Sequence, residues 1–368
     1  MWLAGSGYTG PAACVRGVVV TAVPPEVLHV GSACRDVAPD DPRGWRLGGG
    51  VTYSALTTAR LGLRTAAVVG VEAEARGAAE LDLLRGAGVD LMLVPLAEGP
   101  VFLNEETPSG RRQTCIRPGM GLPVPPLPES WQRASAWSMV PVAGEVSDDW
   151  AAAIPDEAMV SVAWQGFLRR LVAGELVSRK PPGASPLLWR ADIVGASHHD
   201  LDPATSLESL FPLLRPGAHL LITQGWEGGL LIALGEDGPA ETLRYRAAET
   251  DGEVDPTGAG DTFLAALLAT AVHHGIGGHQ RRRLDLRVAA AAGSLVVEAP
   301  GLAGVADREA VRMRMLRERV RRFVEPSIAD RVGSYRDGGW REALAASAAR
   351  RRGRSAHDQV HGQQLRSG

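Results

Sequence analysis

The nine residues from Asp255 to Phe263 read D-P-T-G-A-G-D-T-F and run directly into an apolar stretch carrying Phe263, Leu264, Leu267 and Leu268. That pattern predicts a loop turning into a helix, with Gly258, Ala259 and Gly260 at the junction. First-turn amides lack intrahelical partners and lie at the positive end of the helix dipole, and glycine lets an anion approach the backbone closely. Asp261 enters the same turn. A carboxylate beside an anion hole is poor for plain phosphate binding, but it is well placed to take the proton of a hydroxyl attacking that phosphate. At an ordinary pKa of ~3.9 such an aspartate is ionised at neutral pH and needs no tuning. Taken singly, Gly-x-Gly is a tight turn and a first-turn Asp a partner of the dipole, so the chemistry rests on the combination.

The elements that must position these groups follow in chain order. Val27 to Val30 reads as a short buried strand, which places Asp36 past its C-terminal end, where open α/β sheets hold ligands; a turn-forming Asp is the competing reading. Gly48, Gly49 and Gly50 precede a helical run with Val51, Ala55, Leu56 and Ala59 on its apolar face. Strand, helix and strand then read at 64–71, 73–85 and 89–94. The 100–116 segment is a hairpin carrying Asn104, either a ligand contact or a polar residue on an exposed strand face. Strands at 134–142 and 159–164 present Glu145, then Gln165 and Arg169, just beyond their ends. A strand at 187–197 leads to Asp200 and to His198 and His199, read as surface histidines. A capped helix is expected at 205–214, and a strand at 219–224 runs into a turn bearing Thr223, Gly225 and Gly228. An Ala-rich helix at 287–298 ends at Ala299, Pro300 and Gly301. This alternation predicts an α/β fold with a mostly parallel sheet flanked by helices.

Composition narrows the function classes. A chain of 368 residues, 45% hydrophobic, can bury one large α/β core or two ordinary ones. A net charge of -3 argues for neither nucleic acid nor membrane as a partner, and no apolar run approaches the ~18 residues a bilayer span needs. Cys14, Cys34 and Cys115 show no pairing pattern, which fits a reducing cytoplasm, and the N-terminus lacks the pattern of a signal peptide. Lys180 is the only lysine and sits in a Pro-rich turn, so a P-loop and a protein-kinase phosphate lysine are both excluded. Residues 1–25 read as an extension. Leu316, Val320 and Phe323 suggest a final helix over 307–325, and the Arg-, Ala- and Gly-rich remainder, 326–368, reads as a disordered tail.

The Asp255–Phe263 segment resembles the signature of the ribokinase-like (PfkB) carbohydrate kinase family, and further motifs follow in that family's order over residues 26–306. The resemblance implies a ribokinase-like fold with a small β lid formed by about 36–48 and 97–118. It implies ATP and Mg2+ as cofactors, Asp261 as base, and Gly258, Ala259 and Gly260 around the transferred phosphoryl group. Asp36, Gly48, Gly49, Gly50, Asn104, Gln165 and Arg169 would meet the acceptor; Thr223, Gly225, Gly228, Thr257, Pro300 and Gly301 would meet the nucleotide. Asp200 would be an outer-shell partner of Mg2+, although Ser197-x-x-Asp200 departs from the family's Asn-x-x-Glu. The partner is then a small sugar or polyol, and a homodimer through the lid is expected. P-V-A-G-E and Q-G-F-L-R resemble the inositol-kinase-like branch, which favours a cyclitol, while a nucleoside acceptor and a non-catalytic sugar or nucleotide sensor are the alternatives. A dinucleotide-binding oxidoreductase fits poorly, because the third glycine and the downstream acidic residue are missing.

Overall fold

The structure, a computed structural model, describes residues 23–107, 110–273 and 284–319. Cys14, most of the N-terminal extension, Val320, Phe323 and the tail lie outside the described residues.

The strands Val27–Ser32 and Thr65–Glu72 are buried along their whole length and read as near-continuous apolar runs, the pattern of parallel strands covered on both faces. They lie side by side in a nine-stranded sheet. Its parallel part runs Asp90–Leu96, Thr65–Glu72, Val27–Ser32, Ala136–Met139, Met159–Ala163, Ile193–Ser197, His219–Thr223. Gly229–Gly235 and Gly238–Tyr245 extend it in antiparallel fashion. Helices Gly50–Arg60, Ala259–His273 and Leu286–Val296 pack on one face. The last two pack against each other and are rich in buried alanine, Ala265, Ala266 and Ala269 on one and Ala289 to Ala292 on the other. Leu264, Leu267 and Leu268 are buried beneath them, each stabilising the fold by about 1.5–3 kcal/mol. The opposite core holds Trp131, Trp137, Trp150 and Trp164 under short helices and 3-10 turns, so bulky indoles fill the space that long helices would otherwise cover.

Three expected elements differ. The 73–85 helix is broken into a 3-10 turn, Ala73–Ala75, and a helix, Ala79–Gly86, with Gly77 between them. The 187–197 strand is a helix, Pro186–Arg190, followed by the strand Ile193–Ser197; Ser185 caps the helix through Leu188 N and Pro186 opens it. The 205–214 segment forms two 3-10 turns, Leu207–Ser209 and Phe211–Leu213, because Pro212 cannot continue an α-helical ladder.

A second sheet of five strands has the order Glu175–Leu176, Gly110–Arg117, Val101–Thr107, Cys34–Val37, Trp45–Gly48. The pairing Asp36 with Arg46, Asp36 with Phe102 and Asn104 with Gln113 puts these side chains on one face. This sheet is tied to the large one through Glu72, at the end of its strand. The buried Glu72 carboxylate accepts from Arg35 Nε at 2.6 Å and from Arg117.

Candidate active site

Helix Ala259–His273 begins at the C-terminal end of the parallel strands, and Asp261 lies in its first turn. The Asp261 carboxylate stands over the glycine loop of helix Gly50–Arg60, so close that a Cβ on Gly50 would lie 2.8 Å from its Oδ1. Each glycine of that loop has its own reason. Gly48 is crowded by the Asp36 carboxylate; Gly49 has φ 104° and its missing Cβ would meet Ser32 O at 2.5 Å; Gly50 makes room for the base. Burial pushes the Asp261 pKa up to about 6, with Arg169 opposing and the charges of Asp200 and Asp36 adding to the rise. The expectation of an ordinary carboxylate pKa is therefore corrected, because desolvation holds it above the usual range, although at pH 7 the group stays mostly ionised.

Asp36, Asn104 and Gln113 form a chain across the inner face of the small sheet. Gln113 Nε2 donates to Asn104 Oδ1 at 2.7 Å, and Asn104 Nδ2 donates to Asp36 Oδ1 at 2.9 Å. The Cys34 thiol lies 3.7 Å from Asp36 Oδ2, and its pKa is raised by burial and then by that carboxylate. Arg169 donates from Nη1 to Val142 O at 3.2 Å and lies 5.9 Å from the Phe102 ring centre. Glu145 holds backbone rather than ligand. Its buried carboxylate accepts from the amides of Ser32, Val142 and Ala143 and so pins the end of the first strand to the turn that follows strand Ala136–Met139.

On the other side of Asp261, the loop that leads into helix Ala259–His273 is held by Asp255. Its Oδ1 accepts from Thr257 N and its Oδ2 from Gly301 N, both at 2.9 Å, so one carboxylate ties the loop to the Pro300–Gly301 turn. Gly258 has φ 80°, and a side chain there would enter the ring of Tyr53, a buried residue of helix Gly50–Arg60. The Ala259 amide points back to Pro256 O at 3.3 Å.

Asp200 caps the end of its strand, accepting from Ser197 N at 3.0 Å, and Gln165 Nε2 lies 3.5 Å from its other oxygen. His199 is exposed as expected, but His198 is half-buried against Thr223, whose carbonyl accepts from both the His198 amide and its Nδ1. Burial lowers the His198 pKa. Gly228 is explained by packing rather than by a ligand, since a Cβ would run into the Tyr245 carbonyl; Gly225, with φ 59°, faces open space. Among the described residues no group of three or more His, Cys, Asp or Glu side chains is arranged to hold a metal ion.

A glycine-flanked helix N-terminus, a desolvated carboxylate in its first turn and a glycine loop opposite are parts that phosphoryl transfer to a hydroxyl can use. A model of the pfkB family carbohydrate kinases matches residues 26–308. The chain belongs to that family. Solved structures give the same fold at low identity. A pyrophosphate-dependent kinase in the ribokinase family, seen as a sulfate complex, is 20% identical with a TM-score of 0.57, covering 78% of this chain and 99% of that one. The Arabidopsis thaliana ribokinase complexed with ribose and ATP is 20% identical with a TM-score of 0.56, covering 80% and 99%. A Methanocaldococcus jannaschii nucleoside kinase is 15% identical with a TM-score of 0.58, covering 80% and 100%. Comparison with curated proteins gives no match.

Within this pfkB family member the sequence reading missed Tyr53, Gln113 and the bridging role of Asp255. Gln113 carried a usable signal, its position in the hairpin two residues past Arg111 and opposite Asn104. Tyr53 carried none, because its spacing on the helix is that of a core residue.

Proposed function

We propose that this protein transfers the terminal phosphoryl group of ATP to a hydroxyl of a neutral polyol, a sugar or a cyclitol. The observation that carries this reading is the Asp261 carboxylate in the first turn of the anion-hole helix, poised over Gly50 with its pKa pushed up to about 6. Asp261 accepts the proton of the attacking hydroxyl, while the amides of Gly258, Ala259 and Gly260 receive the charge that develops on the phosphoryl oxygens. The Ala259 amide leaves Pro256 O to do so. Asp36 and Asn104 take the acceptor hydroxyls. Their chain from Gln113 leaves a carboxylate to accept from one hydroxyl and an amide to meet its neighbour, which suits a vicinal diol. Arg169, whose charge lowers the Asp261 pKa, draws the phosphoryl oxygens towards the base.

Asp200 fits an outer-shell role for Mg2+, with one oxygen on the Ser197 amide and the other near Gln165; bound Mg2+ supplies charge neutralisation at the phosphate oxygens. The small sheet acts as a lid over the acceptor. Its outer side exposes Ile116 and Leu176, which suits pairing with a second copy. The test is product release from ATP, and in parallel from pyrophosphate, across sugars, inositols and nucleosides. Acceptor-stimulated turnover abolished in Asp261→Asn supports the kinase and names its acceptor; ATP binding without turnover on any acceptor favours a sensor.

A further inference from the structure

Tyr53 stands at the centre of the site and has no role in the mechanism given above. Its ring lies against Gly258 of the loop before helix Ala259–His273, and a Cβ on Gly301 would lie 3.9 Å from its hydroxyl and 3.8 Å from Cδ of Arg46. The residue is only 2% exposed. Among the described residues its hydroxyl has no hydrogen-bond partner, its oxygen keeps a little solvent contact, and it borders the Gly301 turn that Asp255 ties to the Thr257 loop. A phenol with no protein partner and only a little solvent contact is free to donate to a ligand in its place. Burial, then the charges of Asp36, Asp255, Cys34 and Asp261, raise its pKa, so it stays protonated and offers a donor, not an anion. The carboxylates around it repel a phosphate; a protonated hydroxyl at the anion loop does the opposite.

We propose that the Tyr53 hydroxyl donates a hydrogen bond to the terminal phosphate of the phosphoryl donor, beside the Gly258–Gly260 amides. This rests on the kinase reading. It assigns helix Gly50–Arg60 two duties, the glycine loop towards the base and the acceptor at its first residue, and a phosphate contact one turn later. It also gives Gly258 a second reason, since the anion loop can rest on the Tyr53 ring only without a Cβ.

The decisive variant is Tyr53→Phe, which keeps the ring against Gly258 and removes only the oxygen. Losing a hydrogen bond to a charged group lowers kcat roughly 10- to 100-fold, with the acceptor KM and the thermal midpoint unchanged. Titration of wild type and Tyr53→Phe with ATP and with pyrophosphate, in the absence of acceptor, provides a second readout that does not depend on turnover. Weaker binding of both by the variant supports a contact to the terminal phosphate, whichever donor the enzyme uses. Unchanged binding together with unchanged kcat overturns the proposal, as does a raised acceptor KM at constant kcat, which would put the hydroxyl on the acceptor. If wild type binds ATP but turns over no acceptor, the kinase reading fails while the binding comparison still decides the role of Tyr53; binding of neither donor by wild type removes both.

Discussion

The Asp255 carboxylate and the Gly301 amide, 46 residues apart in the chain, are joined by a 2.9 Å hydrogen bond that fastens the Thr257–Gly258 loop to the turn at the end of helix Leu286–Val296. The other Asp255 oxygen holds Thr257, so one side chain sets the loop from both ends. In Asp255→Ala the amides of the loop lose their alignment. Bonds to a charged acceptor contribute about 1.5–3 kcal/mol, so kcat/KM for the phosphoryl donor should fall at least tenfold and the melting temperature by several degrees. Steady-state kinetics in the donor, with the acceptor saturating, checks this; an unchanged donor KM and kcat would count against the bridge.

Asp261 should show its burial in pH dependence. With a folded pKa of about 6, the ionised base is lost as pH falls through 6, so kcat/KM should rise between pH 5 and 7 and then level. The folded pKa lies above the unfolded value, so the protein gains stability relative to neutral conditions once the group is protonated and loses it as pH rises through 6. Asp261→Asn should therefore be inactive, by roughly 10^2- to 10^4-fold in kcat, yet more stable at pH 8 by about 3 kcal/mol. A melt and an activity assay on the same sample test both halves.

Glu72 joins the small sheet to the large one through Arg35 and Arg117. Glu72→Gln leaves these guanidinium groups near a buried site without their anion, although Arg35 keeps Glu74 at 2.8 Å. The expected loss is about 2–3 kcal/mol of stability with a raised acceptor KM, because the Asp36–Asn104 chain sits on the sheet that loosens. Glu74, 59% exposed at its side chain, should tolerate Gln with little change. Equal effects from both variants would remove the latch.

His29 lies within the first strand, fully buried, with Nε2 2.9 Å from Thr58 Oγ1 and no partner for Nδ1 among the described residues. Desolvation lowers its pKa to about 3. The unfolded chain takes up a proton near 6.5 that the folded one refuses, so stability should fall by about 3 kcal/mol at this residue between pH 7 and pH 4. Denaturant titrations of wild type and His29→Leu at both pH values isolate the contribution; a parallel loss in the variant would assign the acid sensitivity elsewhere.

The sequence by itself determined the loop-to-helix junction at 258–261, the buried parallel strands and the hairpin at 100–116, because glycine placement, apolar runs and turn chemistry are local. It carried the family as well, since the motifs keep their order along the chain. Helix boundaries at 73–85 and 205–214 failed where a single Gly77 or Pro212 outweighed an amphipathic pattern. Only the tertiary structure decided which groups share a site. Asp261 meets Gly50, Asp255 meets Gly301 and Tyr53 lies under Gly258 through contacts between segments distant in sequence. The pKa of Asp261 follows from the same cause, because desolvation depends on what surrounds a carboxylate in space, and residue type and spacing do not encode that.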